Sequence, residues 1–538
     1  MPQPLVRDSP SESILCAALA AAASSLAVYG PARGGDLAAH LWRTSLVQHG
    51  FVVWDNLWFA GQYPLASYSL LYYPVAAVTG NRVLGIVGVV AAAGIFSSVL
   101  RNEWRSAGRW PGRAFAVLLA GQAFTAAFPY DLGLATMLAT LLALQRRRLF
   151  VAGACTLLTL GFSPLAFLFL SLALVAVFLW RRRVDRSAVV VGAALAVAAG
   201  VQLAALVLLP SAELLYPYGA WRFVTGLALV AVGVALSLRG RAGWRMASLF
   251  LVWGAASVAA YAVPSPVGHN LVRASTFLVP LMVVAAALAG FRPRWLALPA
   301  VAGALAANVL PYVPMISQRT ASADASAAYW RPVVTFLRAR LGGDYRVEVV
   351  PTANHWESNY LPQAGIPLAR GWYRQLDMAD DPALYRPHLS AAGYRLWLRS
   401  RGVRYVVVPD LPPEAIDGER EARLAATLPR AWSTAHATVY ELPRPTPLLT
   451  GPAPGRITRF DANEIDGWVA RPGTYLLRVH FTPYWSVRSG SVCVAAAAGS
   501  MTSVTLRRAG RFELRAIEEP LRVIASGLVG GGPICDPS

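Results

Sequence analysis

Long apolar stretches, interrupted at intervals by clusters of arginine, fill the first 313 residues and leave few folds open to this chain. They lie at 12–29, 83–100, 114–129, 131–145, 149–162, 164–180, 187–209, 221–238, 246–263, 271–290 and 295–313. A helix needs about 20 apolar residues to cross a bilayer core. Helices and closed barrels alone satisfy every backbone polar group in lipid. The chain is 56% hydrophobic and 14% charged, whereas a soluble domain carries about 25% charged residues. A soluble protein of this composition would have no polar shell. The expectation is therefore an α-helical polytopic membrane domain of eleven spans over 1–313.

The charge pattern gives the spans a direction. The net charge is +20, and it is carried by arginine in a chain without lysine. Clusters recur at Arg101/Arg105/Arg109/Arg113, Arg146–Arg148, Arg181–Arg183 with Arg186, Arg239/Arg241/Arg245 and Arg292/Arg294. Positive loops stay on the cytoplasmic side, so the clusters point to membrane topology and not to nucleic acid. Loops 30–63, 129–131, 162–164, 210–220 and 264–270 then lie outside. Eleven spans put the N-terminus in the cytoplasm and the C-terminal region outside. Pro64–Gly80 does not fit as a span, because it would place Arg101–Arg113 outside. It reads instead as an interfacial or re-entrant helix with Tyr63, Tyr68, Tyr72 and Tyr73 at headgroup depth.

Composition changes near Pro311–Ser317. The membrane half holds 22 arginines and eight acids, the remainder 26 arginines and 20 acids. Acids near a bilayer are costly and tend to be functional. Asp8, Glu12, Glu103 and Asp185 sit among cytoplasmic arginines, where charge balance accounts for them. Asp36, Asp55, Asp131 and Glu213 fall in external loops, which implies a site on that face. Asp36, His40 and Arg43 are spaced i, i+4, i+7 and share one helical face. Asp36 suits a general base at the lipid interface, and it equally suits an N-cap. Asp131 and Glu213 read first as helix caps, and Gly161–Pro164 as a turn between two spans.

The stretch G-D-x-x-x-H-L-W-R from Gly35, with Trp54-Asp55, Gly61-Gln62-Tyr63-Pro64-Leu65 and Tyr72-Tyr73-Pro74, resembles the opening of bacterial polytopic proteins labelled 6-pyruvoyl-tetrahydropterin synthase-related, a label that carries no pterin chemistry. Those proteins are similar in layout to the GT-C class of membrane glycosyltransferases. That class uses an acid in the first external loop and a sugar linked to a polyprenyl phosphate. The resemblance implies a glycosyltransferase of the bacterial inner (plasma) membrane, acting on its external face on a cell-envelope glycan or glycolipid acceptor, with a polyprenyl-phosphate-linked sugar as donor. Asp36 is then the base, with Asp55 and Asp131 as further catalytic candidates. Such a transfer needs cations for the departing phosphate, and Arg43, His40, His269 and Arg273 are the candidates. A planar guanidinium suits phosphate bidentately. Arg273 equally admits snorkelling to headgroups or pairing with Asp131.

Beyond the boundary, a helix at 328–337, a strand at 346–350, a helix at 394–398 and a strand at 403–408 give an extracytoplasmic α/β unit over 314–450. It resembles the soluble region of actinobacterial members of the same family, where H-W-E and R-G-W segments recur. His355, Trp356, Glu357, Arg370, Trp372 and Asp377 crowd aromatic and ionic groups into loops. They read either as an acceptor-binding surface or as a salt-bridged loop core. From 451 to 538, alternating strands at 473–481, 491–496, 503–506 and 512–516 suggest a β-sandwich-like module. Cys16 and Cys155 lie in spans as apolar fillers, whereas Cys493 and Cys535 share the outer module and suit a disulfide. No His/Cys/carboxylate spacing suggests a zinc site, and the phosphate loop GxxxxGK[ST] is missing. The alternative functions are a non-catalytic envelope-assembly or glycan-binding membrane protein, and a lipid or glycan transporter.

Overall fold

A computed structural model describes residues 11–30, 35–64, 69–181, 185–209, 215–289, 302, 323–489, 491–529 and 532–535. The chain divides into two compact units. The first comprises Met1–Gly34, Tyr68–Leu203 and Leu214–Ala321; the second comprises Gly35–Ser67, Ala204–Glu213 and Ser322–Ser538.

The first unit is helical. Its elements are α1 (Ser11–Tyr29), α3 (Tyr72–Thr79), α4 (Asn81–Trp104), α5 (Arg109–Gln122), α6 (Phe128–Gln145), α7 (Leu149–Phe162), α8 (Pro164–Arg181), α9 (Arg186–Leu208, whose last turn belongs to the second unit), α10 (Ala220–Arg239), α11 (Gly243–Ala262) and α12 (Ser275–Ala289). Among the described residues helices thus cover ten of the eleven expected stretches, and all of 295–313 but Ala302 lies outside them. Seven helical stretches among the described residues are long and apolar enough to cross a membrane. Many outward residues, such as Phe150, Val197, Leu203 and Val224, are exposed and apolar. A lipid solvent accepts such a surface, and water does not.

Small residues set the packing inside the bundle. Gly85 lies against the ring of Phe128, and Gly88 against the backbone of Leu132, where an added Cβ would fall 3.0 Å from the amide nitrogen. The α4 and α6 backbones can therefore approach closely, as small-residue faces allow in membranes. Tyr130, Phe169, Trp253 and Phe277 interlock edge to face at 4.9–5.9 Å. Arg113 pairs with Glu12 at 2.7 Å, Arg245 with Glu103, and Arg181 with Asp185 at 3.7 Å. The charge balance expected of Glu12, Glu103 and Asp185 is met by arginines of the clusters, and Asp8 lies outside the described residues.

The interfacial helix expected over 64–80 is shorter. Among its described residues only Tyr72–Thr79 is helical, and Tyr72 and Tyr73 are fully buried. The Tyr72 hydroxyl donates to Asn81 Oδ1 at 2.9 Å, and that protein partner replaces the headgroup. Tyr63 belongs to the other unit, and Tyr68 lies outside the described residues. The turn at Gly161–Pro164 is present: α7 ends at Phe162, and Ser163 Oγ accepts from the amide of Ala166 at 3.2 Å as α8 begins.

The second unit carries three sheets. A mixed sheet has the order β1 (Arg346–Val349), β2 (Val403–Pro409), β4 (Ala437–Glu441), β3 (Arg430–Ser433), with β1 and β2 parallel. Helices Ala327–Arg340, Glu357–Gln363, Arg374–Asp380, Ala391–Ser400 and Ala415–Ala425 accompany it. Two antiparallel sheets follow. One has the order β13 (Ile534–Cys535), β10 (Val492–Ala496), β11 (Met501–Leu506), β8 (Gly473–His480), β5 (Leu449–Thr450). The other has β6 (Gly455–Phe460), β7 (Glu464–Val469), β12 (Gly510–Ala516), β9 (Trp485–Ser489). Tyr475, Leu477 and Val479 alternate inward on β8, as Phe512, Leu514 and Ala516 do on β12, the period that places one strand face in a core. Cys493 and Cys535 face each other across β10 and β13 and form a disulfide. The C-terminal helix Pro520–Val529 was not among the elements the sequence suggests.

The boundary at 313 does not separate the units by packing. Residues 35–67 carry the first long loop, and they fold with the C-terminal unit.

Candidate functional site

The first loop is held by both parts of the second unit. Helix α2 (Leu37–Gln48) opens it. Trp58 Nε1 donates to the Ser358 carbonyl at 3.0 Å, and Leu368 N to the Leu57 carbonyl at 2.9 Å. Asn56 N donates to Ala462 O at 2.7 Å, and His480 N to Ala60 O at 2.7 Å. Glu518 Oε2 accepts from the amides of Val52 and Val53 at 2.9 and 2.8 Å. Burial pushes the Glu518 carboxyl up to about 7 against those donors. The R-G-W segment has its reason here: a Cβ on Gly371 would sit 2.5 Å from the Trp58 ring.

Asp55 closes the loop on itself. Its Oδ1 accepts from Leu57 N at 2.9 Å, and its Oδ2 from Trp42 Nε1 at 3.0 Å and from Gln62 Nε2 at 3.4 Å. The residue is fully buried, and burial pushes its carboxyl up to about 6 even though these donors oppose the shift. Both oxygens serve the loop's own backbone and indole, so the geometry makes Asp55 a structural acid and not a base.

Asp36 stands at the head of α2, half-buried, with no side-chain capping bond to the helix. The capping alternative is therefore not realised. His40 and Arg43, on the same face, are fully enclosed, and the Arg43 guanidinium lies 4.3 Å from the centre of the Tyr373 ring. That contact is a cation–π interaction, and it anchors α2 to the segment that follows Arg370.

Five of the six residues expected to bind an acceptor, His355, Glu357, Arg370, Trp372 and Asp377, line one small cavity in this unit, whereas Trp356 is buried and stacks on Tyr360. His355, with φ at +53°, turns its ring onto Trp372 at 3.5 Å between centroids. Its Nδ1 lies 3.3 Å from Glu357 Oε1, and its Nε2 lies 3.3 Å from Glu414 Oε2. Burial alone would depress the imidazole, but Glu414 and Glu357 outweigh it and hold it up to about 9. Glu414 is held down at about 2 despite burial, by His355 first and by Arg374, 3.3 Å away. Glu357 also accepts from Thr352 Oγ1 at 2.9 Å, which closes the loop that presents His355.

Arg370 gathers three carboxylates. Its Nε donates to Glu348 Oε1 at 2.9 Å, its Nη1 to Asp377 at 3.1 Å and its Nη2 to Glu421 at 2.6 Å. Burial opposes the guanidinium charge, and the three acids overcome it. One cation cannot neutralise three buried anions. Burial accordingly pushes Glu348 and Glu421 above the usual carboxylate range, although Arg370 counters it. Tyr385 and Tyr394 donate to Asp377 and Glu421 at 2.6 and 3.0 Å. The carboxylates converge on the guanidinium itself, and among the described residues no His/Cys/Asp/Glu group is arranged to hold a metal ion. The cavity beside Arg370, Trp372 and His355 has a volume of about 20 Å³, room for about one water. The cluster has the ion pairs of a salt-bridged loop core.

Asp131 and Arg273 lie in the first unit. Asp131 is fully buried in the first turn of α6, and its oxygens accept no hydrogen bond among the described residues, so it does not cap the helix. The Arg273 guanidinium is 5.6 Å from the centre of the Tyr130 ring. His269 donates its backbone N–H to Tyr216 O at 3.0 Å and sets its ring 5.2 Å from that of Tyr216. The four phosphate candidates are thus divided, two in each unit. Glu213 lies outside the described residues. Sequence reasoning missed Glu348, Arg374, Glu414 and Glu421; Glu348, between two valines, reads as the solvated face of a strand. No known protein-family model matches this chain, and no curated protein is significantly similar to it.

Proposed function

We propose that this chain is a membrane glycosyltransferase of GT-C layout, with eleven spans and its C-terminal unit on the external face. It transfers a sugar from a polyprenyl-phosphate donor to a cell-envelope acceptor. The observation that carries the proposal is the setting of Asp36. It heads a helix locked into a folded unit, and it is partly exposed. A base held on a rigid element is what proton abstraction from an acceptor hydroxyl needs. The acceptor oxygen forms a bond to the anomeric carbon as the bond to the polyprenyl phosphate breaks, and Asp36 takes the hydroxyl proton. His40 and Arg43 are enclosed, so they act as positioning residues that fix α2.

The test is sugar transfer by full-length protein in nanodiscs, offered a panel of polyprenyl-phosphate sugars and envelope glycans. Loss of transfer in a folded Asp36→Asn variant is the expected result. Equal transfer by both proteins would remove Asp36 as the base. A non-catalytic envelope-assembly role is the second reading, favoured by the structural use of Asp55 and of the His355–Arg370 cluster. It predicts no transfer by either protein across the panel.

A further inference from the structure

We propose that the C-terminal helix Pro520–Val529 is an interfacial membrane helix, lying in the headgroup and acyl boundary of the leaflet that α9 reaches at its C-terminal end. The inference is independent of the glycosyltransferase reading. At 100° per residue, Leu521, Ile524, Ala525, Leu528 and Val529 fall within an arc of about 140°. Leu521 is 82% exposed, Ile524 44%, Leu528 75% and Val529 86%. The opposite side carries Val523 and Gly527, which meet protein. Val523 packs in a small core with Val53, Tyr484 and Ile517, and Leu209 rests against it. A Cβ on Gly527 would lie 2.7 Å from Leu208 Cδ2, so the glycine lets the helix seat directly on the end of α9. The Tyr484 hydroxyl donates to the Leu208 carbonyl and fixes the same junction.

The occupant of the apolar face follows from that seat. Helix α9 has 23 residues and is among those long and apolar enough to cross a membrane, with only 11% of its most apolar stretch buried by protein. Its last turn marks where the chain leaves the hydrocarbon. A helix packed on that turn, with an uninterrupted aliphatic face turned outward, sits at the depth where amphipathic helices embed about 5–10 Å into the interface. Arg522 lies at the margin of the face, 3.9 Å from Glu519, where a long cationic side chain can reach headgroups. The disulfide Cys493–Cys535 closes six residues beyond the helix and ties its far end to the β10 strand.

The experiment uses the full chain in nanodiscs, with Cys16 and Cys155 replaced by alanine and the Cys493–Cys535 disulfide kept. A nitroxide is attached to Leu521→Cys in one protein, to Leu528→Cys in a second, and to the exposed control Arg511→Cys in a third. Power saturation compares oxygen, which concentrates in acyl chains, with a water-soluble nickel chelate. The expected result is that oxygen relaxes the labels at 521 and 528 more than nickel does, with the order reversed at 511. Dominance of nickel at 521 and 528 would place the helix in water and overturn the proposal. Exclusion of both reagents would show a protein cover over this face and overturn it as well. Both sites are exposed, so neither substitution disturbs the core, and agreement of the two reports on the helix as a whole.

Discussion

Replacing His355 by glutamine removes the group on which the ionic core of the C-terminal unit depends most directly for its pH response. The imidazole is held up to about 9 by Glu414 and Glu357, against an ordinary value of 6.5. The folded state therefore binds the proton more tightly than the unfolded chain. Its stabilisation is complete below about pH 6.5 and is lost as pH rises through about 9. At ~1.4 kcal/mol per pH unit, that interval corresponds to about 3 kcal/mol. For a unit of this size the loss lowers the midpoint by roughly 6–12 °C. Glu414, held at about 2, has the opposite sign: its stabilisation is present above 4.5 and is lost as pH falls toward 2. The pair is at full strength between those limits. Thermal unfolding of the nanodisc-embedded protein, followed by tryptophan fluorescence from about pH 6 to about pH 10, measures the effect. Wild type is expected to lose its advantage over His355→Gln across that range. Parallel pH curves for the two proteins would refute the reasoning, because the imidazole would then be uncharged in the folded state.

Other perturbations separate structure from chemistry. Arg370→Leu strands Glu348, Asp377 and Glu421 in the interior and is expected to cost about 3–5 kcal/mol, read as a lower unfolding midpoint or loss of folded protein. Asp55→Ala leaves the Trp42 indole, the Leu57 amide and the Gln62 amide without their acceptor. It should destabilise by about 1–3 kcal/mol while any transfer activity per folded molecule is preserved. Trp372→Ala removes the ring stacked on His355 and should lower stability by about 1–2 kcal/mol with acceptor affinity unchanged; a selective loss of acceptor binding would restore the sugar-binding role. Cys493→Ser with Cys535→Ser opens a sequence separation of 42 residues and is expected to cost about 4 kcal/mol by the chain-entropy relation, measured by denaturant midpoint.

The helices of the first unit were legible because lipid imposes a length and a polarity on every span, and a run of apolar residues states both. The strands β8, β10, β11 and β12 were legible for a similar reason, since a period of two is written locally. The disulfide followed from two cysteines sharing one module. The ionic core was half visible: His355, Arg370 and Asp377 stood out among aromatic residues. Glu348 on β1 and Glu421 on Ala415–Ala425 are ordinary residues of their elements until the fold brings them to one guanidinium. The helix Pro520–Val529 is short, and its Gly527 and neighbouring glycines resemble a loop.

By itself the sequence determined where the long apolar helices and the alternating strands of the outer module lie, because these depend on neighbours within a few turns of chain. Only the tertiary structure decided that residues 35–67 belong to the C-terminal unit, that Asp55 is consumed by its own loop while Asp36 is not consumed as a cap, and that the aromatic and ionic cluster closes around room for about one water. Those outcomes rest on hydrogen bonds and ring contacts between residues roughly 300 to 460 positions apart, such as Trp58 with Ser358 and Val52 with Glu518. Burial, and with it the charge state of every carboxylate discussed, is a property of such distant partners and is written in no local pattern.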